Sequence, residues 1–360
     1  MNPAPCESMT AENPVFPSDQ KRNQRRSMFE CKLCSCNEYS SRLEHVRDWN
    51  RNIEGEFTYC QCARCGCLQI EDFPQETGKY YANGYYSYQL IPDILWDLGR
   101  ISRFLYPIRE YYRLTGKGIG RIAYDLRSSF VKQWEPFRTC TWLDWLRTEP
   151  RFAIRRRSRI LDVGCGTGNW LRYLRKAGFQ NLTGADPFIE ADLRVNSNLR
   201  ILKKEITQLE GAYDMILLNH SLEHMPNQLE VMRSIERLLA PNGFAVIGIP
   251  IFSEYFYSNY GNAWFNFDPP RHFFMHSRHS FEMLCSQAGL KVKKYQYESD
   301  AGSILASRLN QMEPDLRKRA EIVLKNQFDP AEKNESEALA RQLNSEEKSD
   351  RAVFFLVREP

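Results

Sequence analysis

From residue 158 onward, short apolar runs alternate with amphipathic stretches. The runs at 159–163, 182–186, 199–202, 213–219, 244–250, 291–297 and 351–357 read as strands, and 168–178, 226–239 and 278–289 carry apolar positions at helical spacing. Strands that are apolar throughout, rather than alternating, belong in a sheet covered on both faces, as in parallel α/β architectures. The pattern therefore predicts a doubly wound α/β sheet of seven strands over 158–360. A charged, helix-prone stretch at about 309–350 interrupts the last two strands. If those strands pair as a hairpin, the stretch is an insertion at its tip.

The upstream half reads differently. Residues 1–28 are rich in Pro, Asn, Ser and charge, with little to bury, and are expected to form a disordered leader. A cysteine-rich module is expected at 29–88, ending in the Tyr-rich run 79–88. A helical bridge follows at 89–157, where Ile101, Leu105, Ile108 and Tyr112 recur at helical spacing. Residues 100–159, which take in most of it, hold fifteen Lys/Arg against five Asp/Glu, although the 360-residue chain is only +4. Such an excess suits either a phosphate-bearing partner or a solvated helix face. No apolar run approaches the roughly 18 residues of a membrane span and no secretory leader is evident, so a cytoplasmic protein is expected. Nothing in the pattern speaks to oligomeric state.

The first of these strands runs into a glycine-rich turn that opens a helix, Leu161-Asp-Val-Gly-Cys-Gly-Thr-Gly168. Glycine serves where the backbone turns sharply or a ligand approaches the main chain. The spacing Gly164-x-Gly166-x-Gly168 misplaces the third glycine of the dinucleotide fingerprint, and Asp162 would repel a pyrophosphate. A carboxylate there suits a ligand carrying a cationic amine. Asp186 follows 24 positions later at the end of the second strand, where it can accept from two adjacent hydroxyls.

This segment resembles motif I of the class I S-adenosylmethionine-dependent methyltransferases. The resemblance implies a Rossmann-like sheet, S-adenosylmethionine as cofactor, Asp162, Gly164, Gly166, Gly168 and Asn219 near it, and Asp186 on its ribose.

Open α/β sheets bind ligands beyond the carboxyl ends of their strands. Five of the six histidines follow the fourth and fifth strands: His220, His224, His272, His276 and His279. If the methyl acceptor is a hydroxyl or carbon acid, a proton must be removed, and an imidazole oriented by a carboxylate suits that task. His224 is the candidate base and Glu223 its orienter, with a helix-capping pair as the alternative. The Glu-His pair in Tyr213-Asp-Met-Ile-Leu-Leu-Asn-His-Ser-Leu-Glu-His-Met-Pro226 is similar to that of small-molecule methyltransferases, including sugar C-methyltransferases. Ten aromatics lie within 252–274, which suggests a wall over the acceptor or a packed crossover. The run Asp268-Pro-Pro-Arg-His-Phe-Phe274 resembles a segment of sugar- and polysaccharide-modifying methyltransferases, which makes His220, Arg271 and His272 candidate acceptor-binding residues. Sugar C-methyltransferases of the best-understood type carry a further C-terminal domain that this chain has no room for, so O-methylation stays open.

Seven of the eleven cysteines lie within 31–67. Cys31-x2-Cys34 and Cys62-x2-Cys65 offer two thiolate pairs for one tetrahedral ion, a four-cysteine zinc ribbon of structural rather than catalytic type. Cys36, Cys60 and Cys67 leave the choice of four ligands open. The order of zinc-binding module, Tyr-rich bridge and methyltransferase core resembles that of sugar and small-molecule methyltransferases. The sequence thus favours methyl transfer to a sugar, nucleotide-linked or in a polysaccharide. A nucleic-acid methyltransferase is disfavoured, because Asn219-His-Ser-Leu222 is not the Pro-Pro-aromatic motif of DNA amino-methylating enzymes. A zinc-ribbon interaction protein with a retired methyltransferase fold is the non-enzymatic alternative.

Overall fold

A computed structural model describes residues 29–50, 53–74, 78, 80, 100–120, 142–313, 315, 318, 319, 322 and 328–359. The expected leader, most of the Tyr-rich run and residues 121–141 of the basic bridge lie outside the described residues. In chain order the elements are β1 (Tyr39–Val46), β2 (Phe57–Cys62), β3 (Leu68–Ile70), α1 (Arg100–Thr115), α2 (Leu143–Thr148), β4 (Arg159–Val163), α3 (Asn169–Lys176), β5 (Asn181–Ala185), β6 (Leu193–Asn196) and β7 (Leu199–Leu202). They continue with β8 (Tyr213–Asn219), α4 (Gln228–Leu238), β9 (Leu239–Pro250), α5 (Glu254–Tyr260), β10 (Phe274–Met275), α6 (Arg278–Gln287), β11 (Leu290–Tyr297), α7 (Ala301–Met312), α8 (Pro330–Ser345) and β12 (Arg351–Arg358).

The large sheet has the order β11-β12-β9-β8-β4-β5-β7-β6. Strands β4, β5, β7, β8 and β9 run parallel, while β12 is antiparallel to both β9 and β11. The sheet has eight strands rather than the expected seven. The addition is β6, an antiparallel edge strand on β7 whose Leu-Arg-Val-Asn sequence is exposed or half-buried, so no apolar run advertised it. The last two long strands do pair as a hairpin. Its helical insertion begins at Ala301, earlier than the charge pattern suggested, with Asp300 capping α7 through the Ser303 amide at 3.0 Å.

Alternate side chains of the central strands feed two cores. Ile160, Leu182, Met215, Leu217, Phe244, Val246 and Phe355 meet α1, α2 and α3 on one face. Leu161, Val163, Ile216, Leu218, Ala245, Ile247 and Phe354 meet α4, α6 and the cysteine-bearing sheet on the other. This is why the strands read as unbroken apolar runs. In α1 the buried stripe is not that of Leu105, Ile108 and Tyr112: Leu105 is exposed, and Tyr106, Arg109, Glu110 and Leu114 face inward. Glu110 is fully buried, ion-paired to Arg109 at 2.7 Å and Arg113 at 3.3 Å, and accepts from the Tyr173 hydroxyl at 2.6 Å. Two of the cations in the basic stretch are thus spent on an internal carboxylate.

Strands β1, β2 and β3 form an antiparallel meander whose fourth strand, β10, comes from beyond β9, with Phe274 opposite Gln69 and Met275 opposite Leu68. The contact is reinforced by the Tyr59 hydroxyl donating to the His272 carbonyl at 2.8 Å and the Ser277 hydroxyl donating to the Cys65 carbonyl at 2.8 Å. Arg271 is buried between Asp268 and Asp48, donating through Nε to Asp268 at 2.8 Å and lying 3.3 Å from Asp48. The expected substrate fork at Arg271 is therefore an internal bracket, because its two carboxylate partners already lie within the fold. Most of the 252–274 aromatics are likewise packed on one another, Phe256 on Trp264 and Tyr260, Trp264 on Phe267, and Phe267 on Tyr59, rather than lining an acceptor surface.

Removing one partner of a buried ion pair leaves the others uncompensated and costs about 3–5 kcal/mol. Arg271→Met is accordingly expected to lower the unfolding free energy by that amount in urea titration, whereas a surface substrate-binding arginine would tolerate the change.

Candidate functional site

The order of strands reverses at β4, whose neighbours are β5 on one side and β8 on the other. Ligands of open α/β sheets collect at such switch points, outside the carboxyl ends. The register brings Val163 beside both Ala185 and Leu218, and Asn219 beside Gly248, so the segments after β4, β5 and β8 emerge on one edge.

The first of these segments is the glycine turn. Gly164, Gly166 and Gly168 all have positive φ, at 72°, 52° and 75°, where a side chain is strained. A Cβ on Gly164 would lie 2.5 Å from the Ser221 Cβ, so the turn also needs glycine for its approach to the segment after β8. Ser221 fixes that approach by donating to the Val163 carbonyl at 2.9 Å. Asp186 receives the Gly166 amide on Oδ2 and the Phe188 amide on Oδ1, both at 2.9 Å, and so ties the turn to β5. Asp162 is buried beneath the turn; burial first, and the nearby Asp186 second, push its carboxyl up to about 8.

The second segment follows β8. His220 sits in the left-handed region at φ 52°, an uncommon conformation for a residue with a side chain. A 3₁₀ turn, Leu222–His224, then holds Glu223 completely buried. Two bonds lash this turn to the segment before β10: the Phe273 amide donates to the Glu223 carbonyl at 2.8 Å, and His224 Nδ1 lies 2.8 Å from the Arg271 carbonyl. Gln228 Nε2 donates to the Leu222 carbonyl at 2.8 Å, while its Oε1 lies 2.8 Å from His276 Nε2. Gln228 and His276 thus support the turn from below.

Glu223 Oε1 lies 3.4 Å from His220 Nδ1 and 3.9 Å from Nε2 of both His224 and His272. Burial pushes its carboxyl up, but these imidazoles outweigh burial and bring it down to about 2. Burial, together with His224, brings His272 down to about 4. The sequence placed His220, Glu223, His224 and His272 at the acceptor site, and the structure brings all four together. Arg271 is not among them, because its guanidinium is enclosed by Asp48 and Asp268. Sequence reasoning missed Glu298, immediately after β11, whose carboxyl burial raises to about 7 while Arg351 and His220 oppose the rise. Its one available signal was its place at the carboxyl end of a strand parallel to β8 and β9.

In the cysteine module, the Sγ atoms of Cys31 and Cys65 are 3.6 Å apart and those of Cys34 and Cys62 are 3.5 Å apart. All four converge within 4.8 Å of one another. A disulfide would hold them at about 2.05 Å, whereas tetrahedral zinc with bonds of about 2.3 Å spaces its sulfurs roughly 3.8 Å apart. The donor set therefore fits one such ion. Cys67 points instead at the Leu68 and Met275 carbonyls, and Cys36 at that of Glu38.

Residues 135–295 match a family described as a methyltransferase domain. Over 96 residues the chain is 29% identical to a ubiquinone biosynthesis O-methyltransferase of Cronobacter sakazakii, a match covering 24% of this chain and 39% of that protein. Over 106 residues it is 28% identical to a demethylmenaquinone methyltransferase of Staphylococcus aureus, covering 26% and 44% respectively. The chain thus spans less than half the length of these curated relatives. Among solved structures, the phospholethanolamine N-methyltransferase 2 of Haemonchus contortus aligns with 14% identity and a TM-score of 0.38, covering 81% of this chain and 62% of that one. Residues 135–295 thus carry a match to a methyltransferase domain, for which S-adenosylmethionine is the methyl donor that the resemblance of Leu161–Gly168 implies.

The residues at the sheet edge fit that cofactor: three positive-φ glycines make room along the backbone, Asp186 offers a carboxylate for hydroxyls, and Asp162 offers a buried one for an ammonium. Asp162 is largely protonated at pH 7 in the free protein, and a cation nearby favours its ionised form. Binding of S-adenosylmethionine at pH 7 is therefore expected to release a proton and to tighten as pH rises towards 8. Calorimetry in buffers of different ionisation enthalpy reads the proton count directly, and Asp162→Asn should abolish the release.

Proposed function

We propose that this chain transfers the methyl group of S-adenosylmethionine to a hydroxyl of a small-molecule acceptor, a nucleotide-linked or polysaccharide sugar being the class its motifs favour. The observation that carries the reading is the convergence of two sets of residues on one sheet edge: the Gly164–Gly168 turn with Asp162 and Asp186, and the His220, Glu223, His224 and His272 cluster after β8. When bound, S-adenosylmethionine supplies a methyl carbon carried on a sulfonium and departs as a neutral thioether.

In this reading Asp186 holds the ribose hydroxyls and Asp162 the ammonium, while Asn219, exposed at the end of β8, faces the cofactor. The acceptor enters on the side of His220, the most exposed imidazole of the cluster. Its proton is lost at the Glu223 and His224 pair, which the left-handed His220 and the lashed 3₁₀ turn hold against the sheet edge. The thiolates of Cys31, Cys34, Cys62 and Cys65 hold a structural zinc ion, whose four-sulfur shell leaves no position for chemistry. Through β3 and β10 that module supports the segment bearing His272.

Purified protein given S-adenosylmethionine and a panel of nucleotide sugars and quinols should yield a methylated sugar by mass spectrometry; methylated quinol alone would replace the sugar with the relatives' substrate class. With the acceptor so found, His224→Ala should reduce turnover by about 10²–10⁴-fold while S-adenosylmethionine binding persists. Cys31→Ser should lose the zinc measured by elemental mass spectrometry and lower the thermal midpoint, because the metal's binding free energy is part of the module's folding free energy.

A further inference from the structure

Along the carboxyl edge of the large sheet stand, in order, Asp186 after β5, the glycine turn after β4, His220 after β8 and Glu298 after β11. Strand β11 is antiparallel to β12, which is antiparallel to β9, so the chain leaves β11 on the same edge as it leaves β8. Two strands stand between β8 and β11, yet the His220 imidazole acts on the Glu298 carboxyl, opposing the rise that burial gives it. Glu298 Oε2 is buried and has no hydrogen-bond partner among the described residues. A buried carboxyl oxygen without a partner costs free energy. Such groups persist where a ligand uses them.

Three carboxylates act on the Arg351 guanidinium, and two of them are spent on the fold. Asp300 pairs with Arg351 at 2.7 Å and caps α7 through the Ser303 amide. Asp350 accepts from Trp264 Nε1 at 2.9 Å and from Asn266 Nδ2 at 2.7 Å. Arg351 reaches Glu298 only at the backbone, donating from Nη2 to its carbonyl at 2.9 Å. The Glu298 amide donates to the Arg351 carbonyl at 3.0 Å, and the next amide, of Ser299, donates to Asn344 Oδ1 at 2.8 Å. The main chain is thus fixed on both sides of a side chain that the fold does not use.

We propose that Glu298 is an acceptor-binding residue, its carboxylate accepting a hydrogen bond from a hydroxyl other than the one methylated, so that the acceptor carries at least two hydroxyls and lies between His220 and Glu298. The inference rests on the methyl-transfer reading and narrows its acceptor to a polyhydroxyl compound. In that reading the cofactor takes the edge at β4 and β5, which leaves the stretch from β8 to β11 for the acceptor. An ionised carboxylate only accepts, and a bond from a hydroxyl to it is charge-assisted. Held by a fixed backbone, that bond turns the reacting hydroxyl towards the methyl carbon. It also rejects an analogue that lacks the second hydroxyl, because the buried oxygen is then left unpaired. Burial raises the Glu298 carboxyl to about 7, with Asp300 adding to the rise and Arg351 and His220 opposing it. A hydroxyl donating to the carboxylate favours its ionised form. Acceptor binding therefore releases a proton and tightens as pH rises through about 7.

The test uses the full chain saturated with S-adenosylhomocysteine, whose ammonium already favours ionised Asp162. Its probes are the nucleotide hexoses of the panel and their monodeoxy analogues, titrated by calorimetry at several pH values. Glu298→Gln should weaken the parent sugar at least about tenfold near pH 8, the size of one hydrogen bond to a charged group, and should remove the pH dependence. S-adenosylhomocysteine affinity should stay unchanged. One monodeoxy analogue should lose a similar factor and the pH dependence in the wild type, and lose nothing further in Glu298→Gln, since the two changes delete the same bond. The wild-type comparison of parent and analogues decides even if the variant fails to fold. Equal affinity of Glu298→Gln and wild type for the parent, additive losses, or a wild type that binds no polyhydroxyl compound of the panel overturns the inference. Methylation of an acceptor with a single hydroxyl would overturn it while leaving methyl transfer standing. Failure of the chain to bind S-adenosylmethionine would instead overturn the methyl-transfer reading itself.

Discussion

The guanidinium of Arg271 is the fixed point between the two halves of the molecule. It is buried with Asp268 on its own segment and Asp48 on the cysteine module, and its backbone carbonyl meets His224. One residue thereby joins the meander, the crossover after β9 and the turn after β8. Asn50 adds to the bracket by donating to Asp268 at 2.7 Å. A charge so placed is tolerable only because both carboxylates are held in position by their own neighbours: Asp48 accepts the Asn50 amide at 2.9 Å and the Ile53 amide at 3.0 Å. Geometry around the proposed acceptor side is thus set partly by Asp48, more than two hundred residues from Arg271 in sequence.

That dependence explains a feature of the architecture that the sheet alone does not require. The carboxyl edge of β4 and β5 is built from local sequence, since the glycine turn and Asp186 are bonded to each other. The proposed acceptor side is not local. His220, Glu223 and His224 come from one segment and His272 from another, and the two are held in register by the bonds to the Arg271 and Glu223 carbonyls and by the β3–β10 pairing. The half proposed for the cofactor and the half proposed for the acceptor therefore have different structural supports, the second of them tied to the cysteine module.

How much was legible in the sequence divides along the same line. Most strands of the large sheet were read to within a residue, because burial on both faces writes itself as apolar runs, although β9 begins at Leu239, ahead of the apolar run expected from 244; the glycine turn was read because its conformation demands glycine. The exposed edge strand β6 carries no such run and was missed. The face of α1 was misread because Glu110, a buried carboxylate held by Arg109, Arg113 and Tyr173, replaced the apolar residues that periodicity expects. Arg271 was read as an acceptor contact, and the aromatics of 252–274 as either an acceptor wall or a packed crossover, because their types suit recognition. They suit a packed junction equally well, and only the partner surface, supplied by Asp48 and Tyr59, distinguishes the two.

The histidines illustrate why residue type and position together still fall short of a role. His224, His272 and His276 all lie near the same edge; the sequence separates His224 by its Glu-His pair and His272 by its Pro-Pro-Arg-His run, but says nothing of what their ring nitrogens meet. Hydrogen bonding separates them: His276 has partners on both ring nitrogens, whereas His224 and His272 each turn one nitrogen to a carbonyl and the other towards Glu223. The carbonyls responsible belong to Arg271 and Asn266, residues of the junction rather than of the strand edge. Backbone oxygens of a segment shaped by packing thus orient the imidazoles of His224 and His272 relative to Glu223.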